Sequence, residues 1–114
     1  TLIDRRGWRI SFPLEVRVAA ADDVWLSPAY RRDTAYLALH RYHREPFAEY
    51  FLAAERVLEQ AAGRPHWGKL HSLDAARLAE RYPRFAEVVR VRRSVDPAGV
   101  FGSPYVDRLF GAAG

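Results

Sequence analysis

Two segments in the first half of the chain alternate apolar and polar residues, as half-buried strands do. The first covers residues 10 to 18 and directs Glu15 and Arg17 to its polar face. The second covers residues 34 to 42 and places His40 on its polar face, among aromatic rings. The apolar faces are formed by Leu14, Val16, Val18, Ala35, Leu37 and Leu39. The pattern predicts two strands, each with one apolar face that must pack against another element.

After Pro46 the apolar residues recur every three or four positions, which is typical of an amphipathic helix. We expect Gly63 to end this helix in the left-handed conformation that glycine adopts readily. The stripe consists of Phe47, Tyr50, Phe51, Ala54, Val57, Leu58 and Ala61. The simplest arrangement places this stripe on the apolar strand faces, with Leu58 in the core.

The second half of the chain predicts two further helices. Ser72 is a suitable N-cap for a helix from Leu73 to Arg81. Pro83 is expected to begin another, which stops by the turn at residues 96–99. The tail, residues 100–110, shows little periodicity. We therefore predict an α+β fold in a single domain, residues 1–114, with a small antiparallel sheet and helices packed on one face.

Composition narrows the function without deciding it. The 114 residues include no cysteine, so a disulfide framework and a thiolate nucleophile are excluded. No apolar run approaches the ~20 residues of a membrane span. The net charge of +4 comes mostly from scattered arginines, which favours a solvated surface over a nucleic-acid interface.

A metal site is disfavoured by the spacing of the histidines. His66 and His71 are five positions apart, which places them about 140° apart around a helix and on opposite faces of a strand. We expect neither nucleic acid, nor a membrane, nor a metal as a partner.

Residues 64–71 concentrate two imidazoles, an indole, a lysine and a glycine between two predicted helices. An extended backbone here would place Trp67, Lys69 and His71 on one side and His66 on the other. Taken alone, Lys69 could equally be a surface amine, His40 a structural hydrogen-bonding residue, and Glu15 with Arg17 a solvated ion pair.

Three segments carry a resemblance to a known family. They are Pro65-His66-Trp67-Gly68-Lys69, Phe12-Pro13-Leu14-Glu15-Val16-Arg17 and Asp96-Pro97-Ala98-Gly99-Val100-Phe101. Together they resemble motifs of the alditol (xylitol) oxidases, D-arabinono-1,4-lactone oxidases and L-gulonolactone oxidases, flavoenzymes of the vanillyl-alcohol oxidase superfamily. The chain departs from the family pattern at Gly102-Ser103-Pro104-Tyr105, where the family usually has Leu-Asn-Pro-Tyr.

The resemblance implies a role for each candidate residue. Glu15 and Arg17 would form the substrate-binding pair that also acts in catalysis, and His40 would line the same pocket. Lys69 would lie beside both flavin and substrate, with His66 on the cofactor side. We expect Glu15, Arg17, His40 and Lys69 to converge on one pocket.

The resemblance also implies a setting. The chain would be a C-terminal segment of the substrate-binding, or cap, domain of a larger cytoplasmic oxidoreductase that acts on a polyol or sugar lactone. FAD would be bound mainly by an N-terminal domain outside this chain, so the chain alone should be inactive. We expect it to form a homodimer, because its pocket-facing strand surface, its open strand edges and the aromatic residues Phe101, Tyr105 and Phe110 would otherwise be exposed. The alternative is a stand-alone, non-enzymatic binding module with a basic surface.

Overall fold

A computed structural model describes residues 1–111, which contain five helices and one two-stranded sheet. In chain order these are α1 (Leu2–Arg6), β1 (Glu15–Ala19), β2 (Thr34–Ala38), α2 (Ala48–Gln60), α3 (Ala75–Arg81), α4 (Phe85–Val95) and α5 (Pro104–Phe110). The α+β class with a small antiparallel sheet is confirmed. None of the helices in residues 1–111 is long and apolar enough to cross a membrane.

The two strands pair antiparallel and are shorter than predicted. Arg17 lies opposite Tyr36, and Glu15 opposite Ala38 at the end of the ladder. Two steps further along this register, Pro13 would face His40. Proline has no backbone N–H to donate, so the ladder stops before it. His40 consequently lies just beyond β2.

The apolar face of the sheet is open, so the prediction that α2 covers it is wrong. Val18 is 83% exposed, and Val16 and Leu37 are also exposed. The first turns of α2 contact a different segment, because the buried ring of Tyr50 packs edge-on against Trp8. Leu58 is only half-buried and does not belong to the main core.

The main core lies among the last three helices. Leu78 of α3 is fully buried, and Phe110 of α5 stacks on Phe85 of α4 at 5.7 Å between ring centroids. The buried cluster consists of Leu73, Leu78, Tyr82, Phe85 and Leu109. The tail is therefore a helix that completes this core. Phe110 packs inside the chain, contrary to expectation, whereas Phe101 is 82% exposed.

Two predicted caps are placed differently in the structure. Asp74, rather than Ser72, caps α3 by accepting a hydrogen bond from the Arg77 N–H at 3.0 Å. The Ser72 N–H instead donates to the Glu55 carboxylate at 2.7 Å. After α2, Ala62 takes the left-handed conformation expected of Gly63, with φ of 54°.

Gly63 is required there for a different reason. A Cβ at this position would lie 2.7 Å from the Leu58 carbonyl oxygen, to which the Gly63 N–H donates at 2.8 Å. A larger residue would displace the chain where it leaves α2 and enters the segment that contains Lys69.

Candidate functional site

Glu15, Arg17 and His40 form a cluster on the polar face of the sheet. Strand alternation projects Glu15 and Arg17 from the same face, and the Arg17 guanidinium donates to Glu15 Oε1 at 2.5 Å. His40, just beyond β2, places Nε2 3.5 Å from the other carboxylate oxygen. The cross-strand pairing of Glu15 with Ala38 brings His40 near the carboxylate. The structure therefore brings together three of the predicted site residues.

The electrostatics of this cluster keep the carboxylate charged. The hydrogen bond from Arg17, followed by the positive charge of Arg17, lowers the pKa of Glu15, and His40 contributes a smaller effect. All three side chains are open to solvent. An ionised carboxylate accepts hydrogen bonds from hydroxyl groups, and a guanidinium with free N–H groups donates to oxygen atoms. This arrangement can bind a polyhydroxylated molecule.

Lys69 belongs to a tight turn rather than to the predicted extended segment. The Lys69 N–H donates to the His66 carbonyl at 3.0 Å, and the Gly68 N–H donates to His66 Nδ1 at 3.1 Å. These two bonds reverse the chain, so the predicted alternation of sides from residue 66 to residue 71 is wrong. The His66 ring serves this turn by accepting a backbone N–H.

The turn borders an open groove of about 430 Å³. Its lining consists of Trp67, Gly68, Lys69, Leu70 and Tyr105. Leu70 is 71% exposed, so the floor of the groove includes apolar surface accessible from solution. Lys69 is exposed beside this surface. The groove therefore combines exposed apolar surface with one cation.

The structure places the predicted site residues in two clusters. Within residues 1–111, no hydrogen bond or ion pair joins Lys69 or His66 to Glu15, Arg17 or His40. The convergence of all four residues on one pocket stays a prediction.

Trp67 anchors the lysine turn, a role that its sequence position did not reveal. The indole N–H donates to the Leu26 carbonyl at 2.7 Å. The ring packs against Tyr82 and stacks on Phe110, at centroid distances of 5.0 and 5.6 Å. Trp67 is thus held by the core, while the turn beside it remains at the surface.

Arg64 is a second residue that sequence reasoning missed. Its half-buried guanidinium donates to three backbone carbonyls, those of Arg81 at 2.8 Å, Pro28 at 3.1 Å and Tyr30 at 2.9 Å. It also lies 5.2 Å from the centroid of the Tyr82 ring. These contacts link the loop between the strands to the end of α3. No local pattern predicts partners so far apart in sequence.

Composition offered one signal for Lys69 that the motif alone does not convey. Lys69 is the only lysine among the 18 basic residues, and the others are arginines. A guanidinium is always charged, whereas an amine is a compact charge whose pKa responds to its surroundings. The single lysine therefore differs in its chemistry from every other basic side chain of Lys or Arg type in this sequence.

The described residues fit only part of an FAD site. The groove beside Lys69 could face a flat ring, with the ammonium near an atom that becomes negative. Within residues 1–111 no glycine-rich loop leads into a helix, so the diphosphate has no typical binding site there. The same residues contain no group of three potential metal ligands.

Comparisons with known proteins identify the family of this chain. Residues 1–109 match the D-arabinono-1,4-lactone oxidase family. The L-gulono-1,4-lactone dehydrogenase of Mycobacterium tuberculosis is 48% identical over 110 residues, covering 96% of this chain and 26% of that protein. The alditol oxidase of a Streptomyces species is 41% identical over 99 residues, covering 83% of this chain and 23% of that protein.

A third relative is covered to a similar extent. The L-gulonolactone oxidase of Scyliorhinus torazame is 37% identical over 106 residues, covering 90% of this chain and 24% of that protein. The chain thus spans about a quarter of the length of the relatives it matches. Because the family match extends over nearly all of the chain, this protein belongs to the D-arabinono-1,4-lactone oxidase family.

Proposed function

We propose that this chain is the substrate-binding, C-terminal part of an FAD-dependent oxidoreductase that oxidises an aldono-1,4-lactone or an alditol such as xylitol. The observation that carries the proposal is the Glu15–Arg17–His40 cluster, in which an ionised carboxylate lies between two nitrogen-bearing side chains. The names of the relatives support the substrate class, because they refer to gulonolactone, arabinonolactone and alditols.

The cluster suits a substrate rich in hydroxyl groups. Glu15 accepts hydrogen bonds from substrate hydroxyls, while Arg17 and His40 fix the orientation of the carboxylate. The N–H groups of Arg17 that remain free donate to a substrate oxygen and stabilise negative charge that develops there. The exposure of all three side chains leaves them accessible to a ligand.

Lys69 and His66 would form the side of the site that faces the cofactor. Bound FAD would supply the acceptor for the hydride that leaves the substrate carbon. The Lys69 ammonium would stabilise negative charge at the adjacent ring or at the substrate oxygen. His66 would maintain the turn through its bond from the Gly68 N–H. Trp67 and Leu70 would exclude water from the groove.

We further place most of the FAD contacts on an N-terminal domain of the same polypeptide, and the whole enzyme in the cytoplasm. The relatives are about four times as long as the matched segment, which supports a separate cofactor domain. This chain alone is then expected to be inactive and to bind FAD weakly. Micromolar binding in a flavin-fluorescence titration of this chain would contradict that expectation.

The activity is tested with alanine variants of the naturally expressed protein. Arg17→Ala and Lys69→Ala should each lower kcat by ~10²–10³, as expected when a group that stabilises developing charge is removed. Arg93→Ala, an exposed arginine on α4, is the matched control and should leave kcat unchanged. Steady-state oxidation of L-gulono-1,4-lactone and xylitol measures the effect. If the wild-type protein oxidises neither substrate but binds a polyanion, the result would instead favour the alternative of a basic, non-enzymatic binding module.

We also propose that the isolated chain self-associates through the open sheet face. Leu14, Val16, Val18 and Leu37 together expose more apolar surface than scattered single residues do. A two-fold dimer would bury this face on both copies. Light scattering on a dilution series checks it, and a monomer at every concentration would contradict it.

A further inference from the structure

The turn that presents Lys69 is fixed to the rest of the chain at its backbone as well as through the Trp67 ring. The hydroxyl of Tyr105, on α5, donates to the Trp67 carbonyl oxygen. Trp67 lies between His66 and Gly68, so this carbonyl is part of the turn itself. Tyr105 also lines the groove beside Lys69.

The Tyr105 hydroxyl is in turn supported by His71. The phenol oxygen lies 3.3 Å from His71 Nε2. Because the hydroxyl proton is directed at Trp67, the phenol oxygen is left to accept from His71, and this bond requires the His71 tautomer that carries its proton on Nε2. His71 Nδ1 is buried without a hydrogen-bond partner among the described residues. The three groups form a chain of hydrogen bonds, in which His71 and Tyr105 donate and the Trp67 carbonyl accepts.

Two further contacts limit the movement of these hydrogen-bonded groups. The Arg108 guanidinium donates to the His71 carbonyl at 3.1 Å and lies 5.2 Å from the centroid of the Tyr105 ring. Phe110, at the C-terminal end of α5, stacks on Trp67. Both ends of α5 therefore contact the segment around Lys69, although more than 30 residues separate them in sequence.

We propose that Tyr105 is a positioning residue for Lys69: its hydroxyl, supported by His71, fixes the turn that presents the single lysine to the groove. Without this hydroxyl, the Trp67 carbonyl bonds to water, and the turn is held only by its internal bonds and by the contacts of the Trp67 ring. Lys69 then occupies a wider range of positions, and its charge acts less effectively on a partner in the groove. The catalytic consequence rests on the proposed function, whereas the conformational consequence does not.

The test compares the effects of tyrosine-to-phenylalanine substitution at two positions of the full-length protein. Tyr105→Phe removes the hydroxyl and keeps the ring. Tyr42→Phe is the matched control, since Tyr42 is exposed to a similar degree (43% against 41%) and also meets a histidine ring edge-on. The Tyr42 hydroxyl makes no hydrogen bond within residues 1–111, so its loss should have no effect.

Amide hydrogen exchange, resolved to single residues, reads the conformational consequence. In Tyr105→Phe, exchange of the Lys69 N–H should accelerate about tenfold, the size expected for one hydrogen bond. Exchange of the Tyr82 N–H, bonded to the Leu78 carbonyl at 3.0 Å, should not change. Unchanged Lys69 exchange, or equal acceleration at both amides, would overturn the proposal.

Steady-state kinetics and the midpoint potential of the bound flavin measure the catalytic consequence of losing the Tyr105 hydroxyl. Tyr105→Phe should lower kcat about tenfold, leave KM unchanged and lower the midpoint potential, because the lysine charge is less well placed. A raised KM with unchanged kcat would show that Tyr105 binds substrate instead, and would overturn a positioning role. A wild type inactive on lactones and polyols refutes the proposed function, while the exchange comparison still decides the role of Tyr105.

Discussion

The two halves of this chain use apolar residues in opposite ways. In the sheet, Val18 is 83% exposed, whereas Leu78 in the helical half is completely buried. Both residues belong to regular apolar patterns, but within residues 1–111 the apolar residues around α3–α5 form a buried cluster, whereas those on the apolar face of the sheet are exposed. The sheet offers charged groups on one face and an open apolar surface on the other. Stability should therefore reside in α3–α5, and the sheet should depend on contacts that the described residues do not supply.

The strongest test of this comparison is Leu78→Ala. Removing a fully buried leucine side chain should lower the free energy of unfolding by ~2–5 kcal/mol. Leu52→Ala, at an exposed leucine in α2, is the control and should change it by less than ~0.5 kcal/mol. Chemical denaturation measures both. Half-buried Leu58→Ala should fall between them, and a cost equal to that of Leu78→Ala would restore α2 to the main core.

The link between the two halves is tested by Arg64→Met. This change keeps the length of the side chain and removes its donors to the loop between the strands and to the end of α3. Losing charged hydrogen bonds of this kind should cost ~1.5–3 kcal/mol. Arg90→Met on the exposed side of α4 is the control. If the two variants denature at the same midpoint, Arg64 does not join the halves.

The stability of the helical half should vary with pH through His71. Burial lowers the pKa of His71 below its ordinary value of 6.5, nearby Arg108 lowers it further, and Glu55 opposes both. The unfolded chain therefore takes up a proton first as the pH falls. The free energy of unfolding should keep its full value above pH 6.5. Below pH 6.5 it should decrease until the pH falls past the pKa of His71 in the folded chain.

One proton limits the slope of this decrease to about 1.4 kcal/mol per pH unit. The charged groups that act on the His71 ring are Arg108 and Glu55, and the Tyr105 hydroxyl contacts the ring as a neutral group. His71→Gln should flatten this part of the profile, while His43→Gln at an exposed histidine should not. Urea unfolding between pH 5 and 8 measures the difference. An identical slope in wild type and His71→Gln would contradict the prediction.

The smallest effect on stability is expected at the open face of the sheet. Val18→Lys should change the free energy of unfolding by less than ~0.5 kcal/mol, because the side chain already lies in solvent. The same change should abolish self-association of the isolated chain. Val95→Lys, at a similarly exposed valine on α4, should leave association intact. Association that survives Val18→Lys would remove the sheet face from the interface.

The sequence predicted the parts of the fold that depend on local chemistry. The helix after Pro46 and the helix that stops before Asp96 follow from their periodicity and from the residues that break them. The shared face of Glu15 and Arg17 follows from strand alternation. The last helix could not be predicted in this way, because Phe110 packs on Phe85 and Trp67 from distant segments.

The site was predictable to a similar degree. The motif makes Lys69 a candidate site residue, but the turn that presents it depends on His66 accepting a backbone N–H and on Trp67 entering the core. Neither contact has a periodic signature. An apolar pattern predicts that a surface is buried, but it does not predict which segment packs against that surface. The open sheet face is the clearest example in this molecule.

The contacts of Arg64 have a consequence for the behaviour of the chain in acid and in salt. All three acceptors of its guanidinium are backbone carbonyls, which neither titrate nor carry a net charge. The ion pairs Arg77–Glu59 and Arg92–Asp107 lose their attraction when the carboxylates are protonated, and concentrated salt screens them. The Arg64 link keeps its hydrogen bonds under both conditions. In acid or brine, the loop between the strands should therefore stay attached to the end of α3 after the carboxylate pairs have weakened.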